Sequence, residues 1–395
     1  DVITNTQTNM IVTGDFTATN STSNPSLPLE LDMNTFIIST FEDGQNGANG
    51  TPSGTFTIGD NVKIFTTGKE SLQRSLQTFT TKTFHENSTV RFDGPEFQGM
   101  INITYGNIEF NGAGDKVPSM GGITVKGEIR RVGGSPVFRV IGLFGGLTHN
   151  FQGDWYLTTN EVSYSGSNIT MNFNGDNQQI RNATTFPNLT FGGSGTKTIS
   201  GNLDVNGALT IQNNVVVNSS NYNIALAGNF NNNSSGRFIH TNALLTLDGT
   251  TDQTISLQAT NGTQFESITI DKASGQVVAA SDMTVNRNFY FTKNNGDFDL
   301  NDHTLAVGGN FYTQDGAELI WDAGAMLHFN GSSEDQLIRN YNGATIFPDV
   351  KFSGTGMKRL YEKAFDINGD FIMDNAAVRA EWFDIYVSGD WINNG

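Results

Sequence analysis

Apolar and polar residues alternate strictly along much of the chain. In LDVNGALTI, Leu203, Val205, Gly207, Leu209 and Ile211 fall on one side, and Asp204, Asn206, Ala208 and Thr210 on the other. A period of two is that of a half-buried strand. The same pattern places Phe365, Ile367, Gly369, Phe371 and Met373 on one inner face. It returns after a short interval, since Gly207 and Gly228 are 21 residues apart and Gly369 and Gly389 are 20 apart.

A longer period encloses this one. A turn of the form F/L-N/D-G ends at Gly94, Gly175, Gly249 and Gly331, with separations of 81, 74 and 82 residues. A second signature follows each: YGNIEF from Tyr105, FPNLTF from Phe186, FESITI from Phe265 and FPDVKF from Phe347, at offsets of 11, 11, 16 and 16. A third is glycine, Asn or Asp, then an aromatic: Gly153-Asp154-Trp155, Gly228-Asn229-Phe230, Gly309-Asn310-Phe311 and Gly389-Asp390-Trp391, with Gly14-Asp15-Phe16 as a truncated copy. These define divergent N-terminal coils with irregular insertions over 1–87 and four repeats: 88–167, 168–242, 243–324 and an incomplete 325–395, after which the chain is expected to continue.

A repeat near 80 residues is then four coils of about 20, the size of a stacked solenoid turn. The expected fold is all-β, a right-handed parallel β-helix (β-solenoid), with strands of successive coils in register and Gly/Asn corners that tolerate positive φ. No coil buries its apolar face alone; its neighbours do that. Four immunoglobulin-like sandwiches are the competing architecture, but the repeats abut without linkers and the strand pattern recurs inside each.

The pattern breaks in three places. Residues 17–52 are polar and irregular, and read as a divergent coil with an excursion. In 66–86, KESLQRSLQ carries good helix formers with Leu72 and Leu76 four apart, which predicts a short helix or packed loop. Residues 128–150 are longer and more apolar than their equivalents, and Val137, Phe138, Val140, Ile141, Leu143 and Phe144 are read as core.

Composition narrows the function. There are 22 Lys+Arg against 39 Asp+Glu, a formal charge of -17, which disfavours phosphate backbones and so nucleic acid. No cysteine is present, which excludes disulfides, thiol catalysis and cysteine-zinc sites. Only 15% of residues are charged, and stacked like positions favour Asn and Thr because aligned like charges repel. No apolar run is long enough to span a membrane, and the opening DVITNTQTNM lacks the features of a signal peptide.

Candidate chemistry is sparse. His85, His149, His240, His303 and His328 lack metal-ligand spacing and are expected at exposed strand or turn positions. DINGD (366–370) and NNGDFDLND (294–302) miss the calcium-loop order, so no cofactor is expected, structural calcium being a lesser alternative. No acid departs from the repeat as a grafted catalytic residue should, and no catalytic, cofactor or metal residue is assigned. Arg130, Arg131 and Arg139 form the one basic group a polysaccharide lyase would want. Lys69, Arg74 and Lys82 form a small positive region. Trp155 and Trp391 hold the repeat's own aromatic position and are expected in the core, whereas Trp321 and Trp382 are freer to stack on sugar rings. Possible ligand contacts are therefore Trp321, Trp382, Lys69, Arg74 and Lys82.

STVRFDG…YGNIEFNGAGDK, ITMNFNGDNQQI…FPNLTFGGSGTKTISGNLDVNGALTI and LTLDGTTDQTIS…FESITIDKASG resemble the long repetitive surface proteins of Bacteroidota, over about residues 54–395. That resemblance implies a secreted or cell-surface adhesin or gliding-associated filament, exported by the type IX system. It carries over no functional residue, because the shared positions are strand and corner residues. The expected role is a non-catalytic stalk segment whose partners are other segments of the same chain, surface-assembly proteins or glycans. A carbohydrate-binding or polysaccharide-degrading β-helix and a subunit of an extracellular filament or phage fibre are the alternatives.

Overall fold

The computed structural model describes residues 10–11, 15–20, 28–34, 38–39, 52–69, 71–118, 121–142, 146–166, 168–232, 235–258, 262–292, 296–332 and 335–395. The chain is a parallel β-solenoid with turns about 21 residues apart. It forms two compact units, Asp1–Pro187 and Asn188–Gly395, and the boundary falls inside the second sequence repeat.

In the first unit, one coil runs through strands Thr104–Tyr105, Asn107–Phe110 and Asp115–Pro118. The next runs through Thr124–Val125, Ile129–Arg131 and Val137–Ile141. Each strand pairs in parallel with its counterpart: Tyr105 with Val125, Ile108 with Ile129, Lys116 with Phe138. The second unit repeats this with Leu203–Val205, Leu209–Ile211 and Val215–Asn218 below Ile224–Leu226, Phe230–Asn232 and Arg237–Ile239. Leu203 pairs with Ile224, Leu209 with Phe230 and Val217 with Phe238. Three strands per coil give each unit three sheet faces around one apolar interior.

LDVNGALTI is two strands rather than one. The chain turns a corner at residues 206–208, and the alternation continues around it, so Leu203, Val205, Leu209 and Ile211 are all buried. The glycine of the third signature is fixed by proximity. A Cβ on Gly228 would sit 2.4 Å from the Gly207 carbonyl carbon of the coil below. The Asn or Asp after it has a separate task. The side-chain oxygen of Asn229 accepts the Thr254 N–H at 2.8 Å, that of Asn310 accepts Leu337 N–H at 2.9 Å, and that of Asp154 accepts Gln179 N–H at 2.8 Å. Each satisfies a strand-start donor on the following coil that would otherwise lack a partner. The aromatic then points inward, and Trp155, Phe230 and Phe311 are fully buried.

Aromatic columns run through the interior. Phe329 stacks on its register partner Phe352 with centroids 5.7 Å apart, and Phe371 on Trp391 at 4.1 Å. Trp391 is nevertheless 57% exposed, contrary to the expectation of a core residue, because it lies on the outermost described rung with Phe371 on one side and solvent on the other. Two histidines also depart from expectation. His149 and His240 are buried, at 0% and 3% exposure. Their Nδ1 atoms accept the N–H of Ile123 and Glu266 (both 3.2 Å) from neighbouring coils. Burial pushes both imidazoles down to about 4, so they are neutral at pH 7.

The irregular stretches resolve in part. Ser71–Gln77 is an α-helix, and Leu72, Leu76 and Phe79 bury its inner side. Within 17–52, Leu29–Asn34 pairs in parallel with Val62–Thr66, with a register shift between Asp32 and Asn34. Phe138 and Val140 are core, Ile141 is 38% exposed, and Leu143 and Phe144 lie outside the described residues.

Candidate functional site

The turn ending at Gly94, Gly175, Gly249 and Gly331 is the seat of a recurring polar device. A buried glutamine follows each glycine: Gln98, Gln178, Gln253 and Gln336. Its Oε1 accepts the glycine N–H, at 2.8 Å for Gly94 and Gly175, 3.0 Å for Gly249 and 3.1 Å for Gly331. Its Nε2 donates to two carbonyls of the preceding coil: Thr66 and Gly68, Phe151 and Gly153, Leu226 and Gly228, or Val307 and Gly309.

One coil later stands a buried lysine: Lys116, Lys197, Lys272 or Lys358. The Lys116 ammonium donates to the carbonyls of Gly94 (2.7 Å) and Ala113 (2.9 Å). Lys272 donates to Gly249 (2.7 Å), Thr251 (2.8 Å) and Gln253 Oε1 (2.7 Å). Lys358 donates to Gly331 (2.7 Å) and Gly356 (2.6 Å). Lys197 donates to Ser194 at 3.0 Å. Carbonyl dipoles take the place of a counter-ion. Burial pushes Lys116 and Lys358 down to about 8, with nearby Asp93 and Asp115 opposing it at Lys116. The glutamines were visible in the sequence as Q-x-I, or Q-G-M at Gln98, and the lysines in GDK, GTK, DKA and GMK, but only the coil geometry brings the glutamines and Lys116, Lys272 and Lys358 onto the glycine turn.

The basic group of the first unit is tied up by acids. Glu109, only 4% exposed, receives Arg130 at 2.7 Å on one side and Lys63 on the other. Burial works to raise Glu109, and Lys63 and Arg130 outweigh it, holding the carboxyl below its ordinary range. Arg131 pairs with Glu161 and Arg139 with Asp115, both at 2.7 Å. The three arginines are thus structural braces rather than an open cradle for uronates.

Lys69, Arg74 and Lys82 lie on three successive segments around the short helix. The Lys69 ammonium sits 5.6 Å from the Phe97 ring centroid, Arg74 is on the exposed side of the helix, and Lys82 pairs in register with Phe56. Trp382 is 94% exposed and has φ of 74°, a left-handed backbone that bulky residues rarely adopt.

Trp321 lies where, among the described residues, the ladder on its face of the second unit stops. Strands Gln276–Ala279, Asp297–Asp299 and Leu319–Ile320 pair in succession. Ile346–Phe347, Phe365–Ile367 and Ile385–Val387 then form a separate sheet. Among the described residues no strand pairing joins Ile320 to Ile346. The step from Leu319 to Ile346 is 27 residues, against 21 from Phe298 to Leu319. The Trp321 indole N–H bridges the gap to the Ile346 carbonyl at 3.1 Å, and Asn342 Nδ2 to the Ala317 carbonyl at 2.8 Å. A groove of about 490 Å³ remains there. The interval from Gly331 to Phe347, 16 residues, is the same as that from Gly249 to Phe265 in the third repeat, where bridges continue, so it does not by itself mark the break.

No three His, Asp or Glu side chains gather at metal-binding distance among the described residues, and no helix is long and apolar enough to cross a membrane. The chain matches no protein family, no curated protein and no solved structure.

Proposed function

We propose that this chain is a non-catalytic spacer segment of a large bacterial surface adhesin or surface filament, of the type IX-exported kind that its repeat signatures resemble. The observation that carries this reading is the clasp. In three of the four repeats a buried glutamine and a buried lysine both bind one coil to the coil before it, and in the second repeat the buried glutamine does so. Buried ionisable groups of this kind serve catalysis when they face a cleft. Here their donors are directed at backbone carbonyls and hold rung to rung, which suits a segment that transmits load.

Single-molecule pulling of the 395-residue chain tests the proposal. Resistance should fall when Lys116, Lys272 and Lys358 are all replaced by Met. A triple variant as resistant as the parent, or depolymerisation of any polysaccharide by the parent protein, would overturn it.

A further inference from the structure

The groove beside Trp321 differs from the rest of the solenoid surface in how its polar groups are used. Elsewhere, corner Asn and Asp oxygens accept N–H groups of the following coil. In this groove the Glu318 carboxylate and the Asn368 amide, both exposed, make no hydrogen bond or ion pair among the described residues. The Thr345 hydroxyl in its floor likewise has no partner, although the residue is only 5% exposed. Ile320 and Ile346, at 36% and 47% exposure, flank these groups with apolar surface. Trp321 stands among them, its N–H fixed to the Ile346 carbonyl, which orients the indole without blocking its faces with another aromatic ring.

We propose that this groove binds a short stretch of a neutral oligosaccharide, laterally and without cleavage. An indole offers a flat apolar surface to the C–H face of a pyranose. Free carboxylate and amide groups supply acceptors and a donor for its hydroxyls. The volume lies within the range of small-ligand sites. The carboxylate, on a chain of formal charge -17, selects against uronates and sulfated sugars. An extended peptide adding to the open edge is the competing occupant. The edge strand Leu319–Ile320 has only two residues, too few to hold a ladder, and Trp321 lies across the step.

Calorimetric titration of the 395-residue protein with cello-, xylo-, manno- and chitohexaose provides the test. At least one should bind with a dissociation constant of roughly 0.1–1 mM, as expected for one aromatic platform with few polar contacts, and be recovered intact. Trp321→Ala should weaken binding about tenfold or more, and Glu318→Ala and Asn368→Ala about threefold each. Trp382→Ala should leave it within about twofold. Should Trp321→Ala fail to fold, the Glu318 and Asn368 variants decide the matter alone. No binding of any hexaose at about 10 mM, equal binding by all groove variants, or displacement of the sugar by a strand-forming peptide that binds more tightly would overturn the proposal. Those failures leave the spacer reading standing, whereas release of shorter sugars would overturn both, since the groove is proposed to bind without cleavage.

Discussion

The molecule buries charge in two ways. Around Glu109 a carboxylate on the outer side of a sheet is held between two cations, Lys63 and Arg130, contributed by other coils. At Lys272 a cation inside the coil corner is held by two carbonyls and a glutamine oxygen, with no ion pair to a carboxylate among the described residues and Asp252 and Asp248 acting only from a distance. The outer arrangement depends on Coulomb attraction near solvent, which salt and water weaken. The inner one depends on hydrogen bonds to fixed dipoles, which are shielded from both. Where a repeat must be tied to its neighbour regardless of medium, the second arrangement is the one that recurs.

The comparison is broken most directly by deleting the inner cation. Lys272→Met should destabilise the adjoining rungs by about 4 kcal/mol, since Gly249 and Thr251 carbonyls lose a buried donor. Native-state hydrogen exchange in 226–279 would measure it, because a solenoid loosens locally rather than as a whole. A loss below about 1 kcal/mol would place the clasp with ordinary surface pairs.

Acid supplies the next largest effect. His149 and His240 have folded pKa values of about 4, below the ordinary 6.5. The unfolded chain therefore takes up protons first, so stability held above pH 6.5 declines from there and is fully lost as pH falls through 4. The drop should approach about 3 kcal/mol per histidine. Replacing both by Gln should flatten thermal stability across that window. Glu109, held despite its burial below the ordinary carboxylate range by Lys63 and Arg130, adds a loss of its own that begins only at the acid end of that window, where the unfolded carboxylate starts to take up a proton.

Glu109→Gln should cost about 2 kcal/mol by leaving Lys63 and Arg130 facing one another. That cost should shrink in 0.5 M salt (about a 4–5 Å screening length) while the Lys272 effect stays constant. Alkaline titration separates the two further. The folded pKa values of Lys116 and Lys358, about 8, lie below the ordinary 10.5. Stability should therefore rise as pH climbs from about 8 towards 10.5, and the rise should vanish in the lysine-to-methionine triple variant. Smallest of all, Lys63→Met should cost less than about 1 kcal/mol in chemical denaturation, because it is one of two partners at a partly exposed site.

The solenoid was legible because period-two alternation and a fixed return distance are both properties of the local sequence. The role of Gly228, Asn229 and Phe230 followed the same logic, each set by what lies directly beneath or above it. His149 and His240 were misplaced by residue type: the alternation itself sets His149 on the face of buried Leu147 and Phe151, and His240 on that of Phe238, but an imidazole was expected to stay in solvent. The Gln253–Lys272 clasp was present as letters and absent as chemistry, since its partners are 19 residues apart in the chain and meet only after a full turn. Trp321 was singled out as an unplaced aromatic, but the interruption of the ladder around it is a property of pairing, which no single strand reveals.

The corner oxygens all accept from the same side. Asn229 receives the amide of Thr254, Asn310 that of Leu337, and Asp370 that of Asp390. The clasps likewise reach towards residues already passed, Gln98 to Thr66 and Lys358 to Gly331. A polypeptide threading out of a pore amino end first would thus meet a finished docking surface at every step. Such a chain can be wound up as it emerges, each turn offering acceptors to the next, while donors such as the Ile123 N–H are satisfied when the following coil arrives.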